Sequence, residues 1–278
     1  MNKMTRPTTV PQTLEDMLIE HATAREALRL GLKHHKTIAT RLKGISVGVE
    51  RSVSDLFDQT TSLEETYIKM MNIGIIAGTG GLLSHAPRRT QSMLILIDAF
   101  QPEGVTRIFQ DSVFMMPHLG VLSTIHKEAA SQIFDKDCLV RVGTVIAPAG
   151  EGKDGESIMR VTMEMPNGGT REEQVNFGKI KKIPLKGSET IRVCISPRRG
   201  FDIGAGQGHK HETTVTGGEV GIVLDGRGRP LRLPEDKESR ISRLHDWLVS
   251  MECYDQNKLS QIRSGKQRCI PCQENKDR

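Results

Sequence analysis

The chain has 278 residues, 36% of them hydrophobic and 26% charged, with a net charge of +5 and five cysteines. That length allows one large domain or two ordinary ones; no apolar run approaches the roughly 20 residues of a bilayer span, and an odd, sparse set of cysteines argues against a disulfide framework and for reduced thiols. Three of the five net positive charges lie beyond residue 254 and aromatic residues make up only 4%, which leaves few stacking platforms for nucleic acid.

Residues 1–12, MNKMTRPTTVPQ, are polar and proline-containing. They read as a flexible N-terminus without the apolar stretch of an export signal, so a cytoplasmic protein with no membrane partner is expected. From Thr13 the apolar spacing of Leu14, Leu18, Ala22, Leu28 and Leu32 predicts one long helix or two up to about Leu42, with Gly31 weakening the middle. His34 and His35 stand near its C-terminal end, where positive charge complements the helix dipole. Thr61 to Met71 predicts a short helix leading into a strand.

The most informative segment follows: Ile73-Gly-Ile-Ile-Ala-Gly78-Thr79-Gly80-Gly81-Leu-Leu-Ser84-His-Ala-Pro87. An apolar β-type run enters a glycine cluster, and Pro87 opens a helical pattern that continues to Phe100. Glycines lacking Cβ allow positive φ and close approach of a ligand, and the following helix offers free N–H groups, a combination that suits a nucleotide or other anion. The phosphate-binding Gly-x-x-x-x-Gly-Lys-Ser/Thr pattern is excluded, since no lysine lies between Met71 and Gln101. The dinucleotide pattern Gly-x-Gly-x-x-Gly fails as well, because Leu83 and Ser84 stand where its last glycine belongs. Spacing alone leaves a packing turn equally open.

Val105 to Phe109 predicts a further strand, and Pro117 opens a helix to about Phe134. After Asp137 the pattern turns to β: Leu139–Ile146, Ser157–Met165, Gln174–Ile183, Thr190–Ile195 and Val220–Leu224, with Pro166-Asn167-Gly168-Gly169 as a hairpin signal. A last amphipathic helix from Asp236 to about Tyr254 places Ile241, Leu244, Leu248 and Met251 on one face, with Trp247 beside it as a docking side chain.

Three further clusters carry alternatives. His209 and His211 alternate onto one strand face beside Glu212, a partial metal set that lacks further ligands in sequence. Arg198 and Arg199 suit either phosphate contact or a solvated turn. Cys269 and Cys272 have half-zinc spacing without a second pair, and read as incidental within a disordered basic tail over 255–278.

Gly78-Thr-Gly-Gly-Leu-Leu-Ser-His-Ala-Pro-Arg-Arg89, Asp98-Ala-Phe-Gln-Pro-Glu-Gly-Val-Thr106 and Phe114-Met-Met-Pro-His-Leu-Gly-Val-Leu122 resemble the glutamate-mutase accessory family called MutL or GlmL, which is unrelated to the mismatch-repair protein of the same name. Asp137-Cys-Leu139, Ile146-Ala-Pro148, Phe201 to Gly206 and Gly217 to Gly221 extend the likeness, giving a span of roughly residues 15 to 254. The resemblance implies an actin-type ATPase. Residues 13–136 would be the closing, C-terminal half of its ATPase domain (an α/β, ribonuclease H-like fold), followed by a mainly antiparallel β domain with a terminal helix over 137–254. It implies adenosine contact at Gly78, Thr79, Gly80, Gly81 and Ser84, with ATP and Mg2+ as cofactors and no cobalamin bound directly. Cobalamin-dependent mutase subunits would be its partners. The family's Asp/Gly/Thr-rich phosphate hairpins do not precede residue 73, so a complete ATPase site is not expected without a separately encoded N-terminal half, and catalytic residues are not assigned. Two alternatives stay open: a kinase-like phosphotransferase half that needs such a subunit, and a protein-binding module independent of nucleotide.

Overall fold

Nine strands in two sheets and seven α-helices make up the described part of the computed structural model, residues 10–39 and 66–263. The expectations for residues 1–9, for the start of a helix at Thr61 and for Cys269 and Cys272 lie outside it.

Helix α1 (Leu14–Ile38) is one uninterrupted helix, so Gly31 does not divide it. Its start is set by Thr13, whose hydroxyl oxygen accepts the Asp16 N–H at 3.1 Å, with Glu15 and Asp16 in the first turn and His35 and Lys36 in the last, each complementing the dipole. The described part of the helix expected over Thr61–Met71 is not α-helical: residues 66–69 are irregular and a 3-10 turn forms at Met70–Asn72, after which the chain enters β1 (Ile75–Gly78), α2 (Gly81–Ser84), α3 (Arg89–Phe100) and β2 (Gly104–Asp111). The helix expected from Pro87 to Phe100 is α3, which starts two residues later at Arg89; the short α2 before it was not expected, and Pro87 sits in the link between them, where its missing N–H breaks no helical bond. Residues Thr90 to Ala99 of α3 are all buried, because the helix is covered by the sheet on one side and by α1 on the other; a run this apolar needs both. Strands β1 and β2 are parallel, the pairing that a crossover helix permits.

After β2, α4 (Met116–Ser123) begins with Pro117 in its first turn, and α5 (Lys127–Ile133) continues into a π turn at Phe134–Cys138. A single helix to Phe134 was expected; it breaks at Thr124–His126, where the His126 side chain accepts the Ala129 N–H and caps α5.

Strands β3 (Leu139–Ala147), β9 (Gly221–Asp225) and β6 (Ile180–Ile183) complete the first sheet in the order β1-β2-β3-β9-β6, with β2 antiparallel to β3, β3 parallel to β9 and β9 antiparallel to β6. The boundary expected between residues 136 and 137 falls between two hydrogen-bonded neighbours of this sheet. The second sheet, β5-β4-β7-β8, is wholly antiparallel and comprises β4 (Ser157–Glu164), β5 (Thr170–Asn176), β7 (Thr190–Pro197) and β8 (His211–Thr216). The β4–β5 hairpin turns at Asn167-Gly168, with Gly168 at φ +82° and the Met165 N–H on the Gly169 carbonyl at 2.7 Å, as the sequence predicted. The run expected as one strand over Gln174–Ile183 is split at Phe177-Gly178-Lys179, and its halves join different sheets. Gly178 takes φ +82°, which turns the chain from one sheet into the other.

The two sheets pack face to face over β3 and β9, which are buried on both sides. Ile146, Ile222 and Leu224 meet Val161, Val193 and Ile195 of the second sheet, while Val145 and Val223 point the other way into a core with Ile76, Met93, Ile97 and Trp247. Burial on both faces is why these strands read as unbroken apolar runs. Helix α6 (Lys237–Ser250) closes that first core, starting at an Asp236 cap whose carboxylate accepts the Ser239 N–H at 2.8 Å. Trp247 is buried and donates its indole N–H to the Gly178 carbonyl at 2.8 Å, the docking role expected of it, whereas Ile241 is exposed. Beyond residue 255, where a disordered tail was expected, α7 (Gln256–Arg263) forms and buries Leu259 in the first core. Among the described residues no helix is long and apolar enough to cross a membrane.

Candidate functional site

The glycine turn connects β1 to α2, and its five candidate residues serve different ends. Gly80 has φ +104° and ψ 150°, a conformation essentially reserved for glycine, and a Cβ there would meet nothing within 4 Å. Gly81 starts α2 and is nearly as open, its nearest neighbour being His85 Cδ2 at 3.9 Å from an added Cβ. Gly78 instead faces inward, where a Cβ would come 2.9 Å from both Leu83 Cδ1 and Leu96 Cδ1. The hydroxyls of Thr79 and Ser84 are both engaged by Asp111: the exposed Thr79 donates to its carboxylate at 3.1 Å and the buried Ser84 to its carbonyl at 2.6 Å. Thr79, Gly80 and Gly81 are the residues of the five that reach the surface, whereas Gly78 and Ser84 are buried.

Asp111, at the end of β2, organises this region. Its buried carboxylate also accepts the N–H groups of Met115 at 3.0 Å, Met116 at 2.8 Å and Val113 at 3.3 Å. Burial pushes the carboxyl up, but the Met116 and Met115 N–H groups, the Thr79 hydroxyl and the Val113 N–H outweigh it and hold the group below the usual carboxylate range. Asp111 thereby fixes the turn to the start of α4.

Next to the turn lies a polar cleft of about 690 Å³. The α2–α3 link, with His85, Arg88 and Arg89, forms one wall; Lys182 of β6, Glu219 before β9 and Glu252 after α6 form the other. Arg89 pairs with Glu219 at 3.1 Å and Lys182 with Glu252 at 2.8 Å, while Arg88 donates to the Glu252 carbonyl at 2.8 Å. The hydrogen bond and charge of Lys182 hold the Glu252 carboxyl below its usual range. The Arg89 and Lys182 side chains are 24% and 18% exposed, against 52% and 65% for their carboxylate partners.

A second polar cluster is internal except for the partly exposed Arg25. Arg227, directly after β9, is clamped by the Asp225 carboxylate through two bonds of 2.9 Å, approaches Asp98 of α3 at 2.7 Å, and lies 4.8 Å from the Trp247 ring centre. Arg229 donates to the same Asp225 at 2.7 Å and to the Pro102 carbonyl at 2.9 Å, and Arg25 of α1 reaches Asp98 at 3.0 Å. Burial raises the Asp225 carboxyl, yet Arg227 and Arg229 together bring it far below the usual range. Sequence reasoning missed this cluster. Its signal was Asp225-Gly-Arg-Gly-Arg229 directly after an apolar strand, in which glycines let two long cations turn back on the strand's terminal acid. Every one of its charges faces an opposite charge, so it ties α1, α3, β9 and α6 together rather than offering a free group for chemistry.

Beside it, Cys253 is buried, with its thiol 3.5 Å from the Thr90 carbonyl, and burial pushes that thiol up to about 12. His21 meets the Tyr254 hydroxyl at 2.6 Å, and burial lowers its basicity.

His209 precedes β8 and packs against Gly206, while His211 begins the strand. Among the described residues no three His, Cys, Asp or Glu side chains gather as a metal set. Arg198 is ion-paired with Glu156. In the loop between them, the Asp202 carboxylate accepts the N–H groups of Gly204 at 2.7 Å and Gly206 at 2.9 Å, so that these glycines serve a self-bonded turn.

Among known families, the model described as MutL protein matches residues 1–138. The matched part contains the whole glycine turn, α3, β2 and Asp111; the strings noted at 146–148, 201–206 and 217–221 fall beyond it. No curated protein and no solved structure matches the chain.

Proposed function

Residues 1–138 belong to the MutL protein family of glutamate-mutase accessory proteins, and on that premise we propose that the chain is a component of an ATP-dependent, chaperone-like factor that reactivates a cobalamin-dependent carbon-skeleton mutase. The observation that carries this reading is that the family match includes a strand-to-helix turn whose backbone takes a glycine-specific conformation at Gly80 and is open to a ligand at Gly80 and Gly81. In this reading the adenosine of ATP lies against that turn, in a site completed by the phosphate- and Mg2+-holding hairpins of an actin-like N-terminal half. Nucleotide would bias a closure between the two halves, and the remainder of this chain would pass it to the mutase, whose cobalamin the chain does not itself bind. The expected place of action is the cytoplasm.

The test is reconstitution. Purified chain, with its neighbouring N-terminal partner where one is encoded, should restore activity to mutase inactivated by damaged cobalamin, in an ATP-dependent way. Gly81→Val should abolish the ATP dependence, since Gly81 opens a helix at which valine folds but occupies the ligand's volume. Unchanged ATP binding and reactivation in a folded Gly81→Val variant would refute the nucleotide contact.

One set of observations favours a nucleotide-independent binding module. Gly78 and Ser84 are accounted for by internal packing and the Thr79 hydroxyl by its bond to Asp111, and α4 with its flanks exposes Val113, Phe114, Val121 and Ile125, the last at 85%, a surface suited to a protein partner. Reactivation that needs the chain but not ATP would select that reading.

A further inference from the structure

The cleft beside the glycine turn has the charge distribution of a site held by weak placeholders. Three basic side chains, Arg88, Arg89 and Lys182, converge on it from two walls. Arg89 and Lys182 are mostly sheltered and held in place, while Glu219 and Glu252, which neutralise them, are largely exposed and stand at the rim. An ion pair to a largely exposed carboxylate is worth little and exchanges readily, whereas an oligophosphate carries several negative charges in one group and can accept charge-assisted bonds from all three cations at once. The first turn of α3, a 12-residue helix, begins at Arg89 on the same wall and adds the positive end of its dipole. His85 connects the cleft to the turn, since it lines the cleft and its ring borders Gly81.

We propose that this cleft binds an oligophosphate group, with Arg88, Arg89 and Lys182 replacing their contacts to Glu219 and Glu252 by contacts to phosphate oxygens. The volume of about 690 Å³ accommodates two or three linked phosphates with their remaining water. Where the reading of the turn as an adenosine contact holds, the group is the polyphosphate of the same nucleotide, held by these cations on one side and by the hairpins of the N-terminal half on the other; the affinity of the cleft for oligophosphate itself does not depend on that reading.

The experiment titrates the full chain with inorganic tripolyphosphate by calorimetry at low ionic strength. The parent binds; the Arg89→Gln/Lys182→Gln double variant binds at least about tenfold more weakly, as expected for two lost charge-assisted contacts. The Glu219→Gln/Glu252→Gln variant binds up to about tenfold more tightly, because the competing carboxylates are gone. A gain in affinity cannot arise from misfolding, and thermal melts of each variant accompany the titrations. Absence of binding by the parent at millimolar tripolyphosphate, or equal affinities for all three proteins, overturns the proposal. A parallel titration with ATP separates the two readings. If ATP binds more tightly than tripolyphosphate and Gly81→Val removes only the difference, cleft and turn act together. If parent and Gly81→Val bind ATP and tripolyphosphate alike, the adenosine contact falls and the oligophosphate site stands.

Discussion

Removal of one carboxylate from the buried charge cluster should be the most damaging conservative substitution in the chain. Three guanidinium groups, Arg25, Arg227 and Arg229, share two carboxylates, Asp98 and Asp225. Asp225→Asn keeps shape and volume but leaves three cations around a single acid, two of them, Arg227 and Arg229, fully buried, and breaking a buried pair in this way costs about 3–5 kcal/mol. Arg227→Met is the informative contrast. It removes two bonds to Asp225, the contact to Asp98 and the stacking on Trp247, yet the four remaining groups resolve into two separate pairs, Arg25 with Asp98 and Arg229 with Asp225. Methionine also fills much of the vacated volume, so about 1–3 kcal/mol is expected. For a chain of this size each kcal/mol lowers Tm by about 2–4 °C, which gives roughly 6–20 °C for Asp225→Asn and clearly less for Arg227→Met. Thermal and urea unfolding followed by circular dichroism measure both. The pH dependence carries the same sign: the Asp225 carboxyl is depressed in the folded state, so its contribution is complete above the unfolded value of about 3.9 and is lost as pH falls below it. A cost under 1 kcal/mol for Asp225→Asn, or a greater loss for Arg227→Met, would refute the argument that charge balance holds these elements together.

The turn offers a second contrast: Gly80→Ala should cost about 1–3 kcal/mol from backbone strain alone, since nothing obstructs its Cβ, whereas Gly81→Ala at the start of α2 should be neutral or stabilising by up to about 1 kcal/mol. Equal melting temperatures for the two variants would contradict the geometry. Leu259→Ala should destabilise by about 2–3 kcal/mol in urea unfolding, because Leu259 packs in the first core; a neutral result would mean that α7 does not dock. Burial lowers the His21 pKa, so the unfolded chain takes up a proton below about 6.5 before the folded one does, and stability should fall as pH drops from 7 to 5. A His21→Gln variant should show a flatter profile over that range, and an unchanged slope would place the titrating group elsewhere.

Local signals in the sequence determined the elements that need only local physics. Thr13 followed by acids marks the start of α1, Asn167-Gly168 the β4–β5 turn, and Asp236 the cap of α6, since each acts through bonds to its own neighbours in the chain. The turn at residues 78–81 was legible as a strand-to-helix junction for the same reason. Spacing could not distribute its residues between packing and exposure: Gly78 faces Leu96 across α3, and Thr79 and Ser84 find Asp111, 32 and 27 positions away. The break at Gly178 was hidden because both halves of Gln174–Ile183 are β-like, and only the sheet that each half joins tells them apart. The cleft and the charge cluster were invisible for a further reason. Arg89 meets Glu219, Lys182 meets Glu252, and Arg25 and Arg227 meet at Asp98, so the meaning of each charge is set by partners that the chain brings together only after both sheets and α1, α3 and α6 have packed.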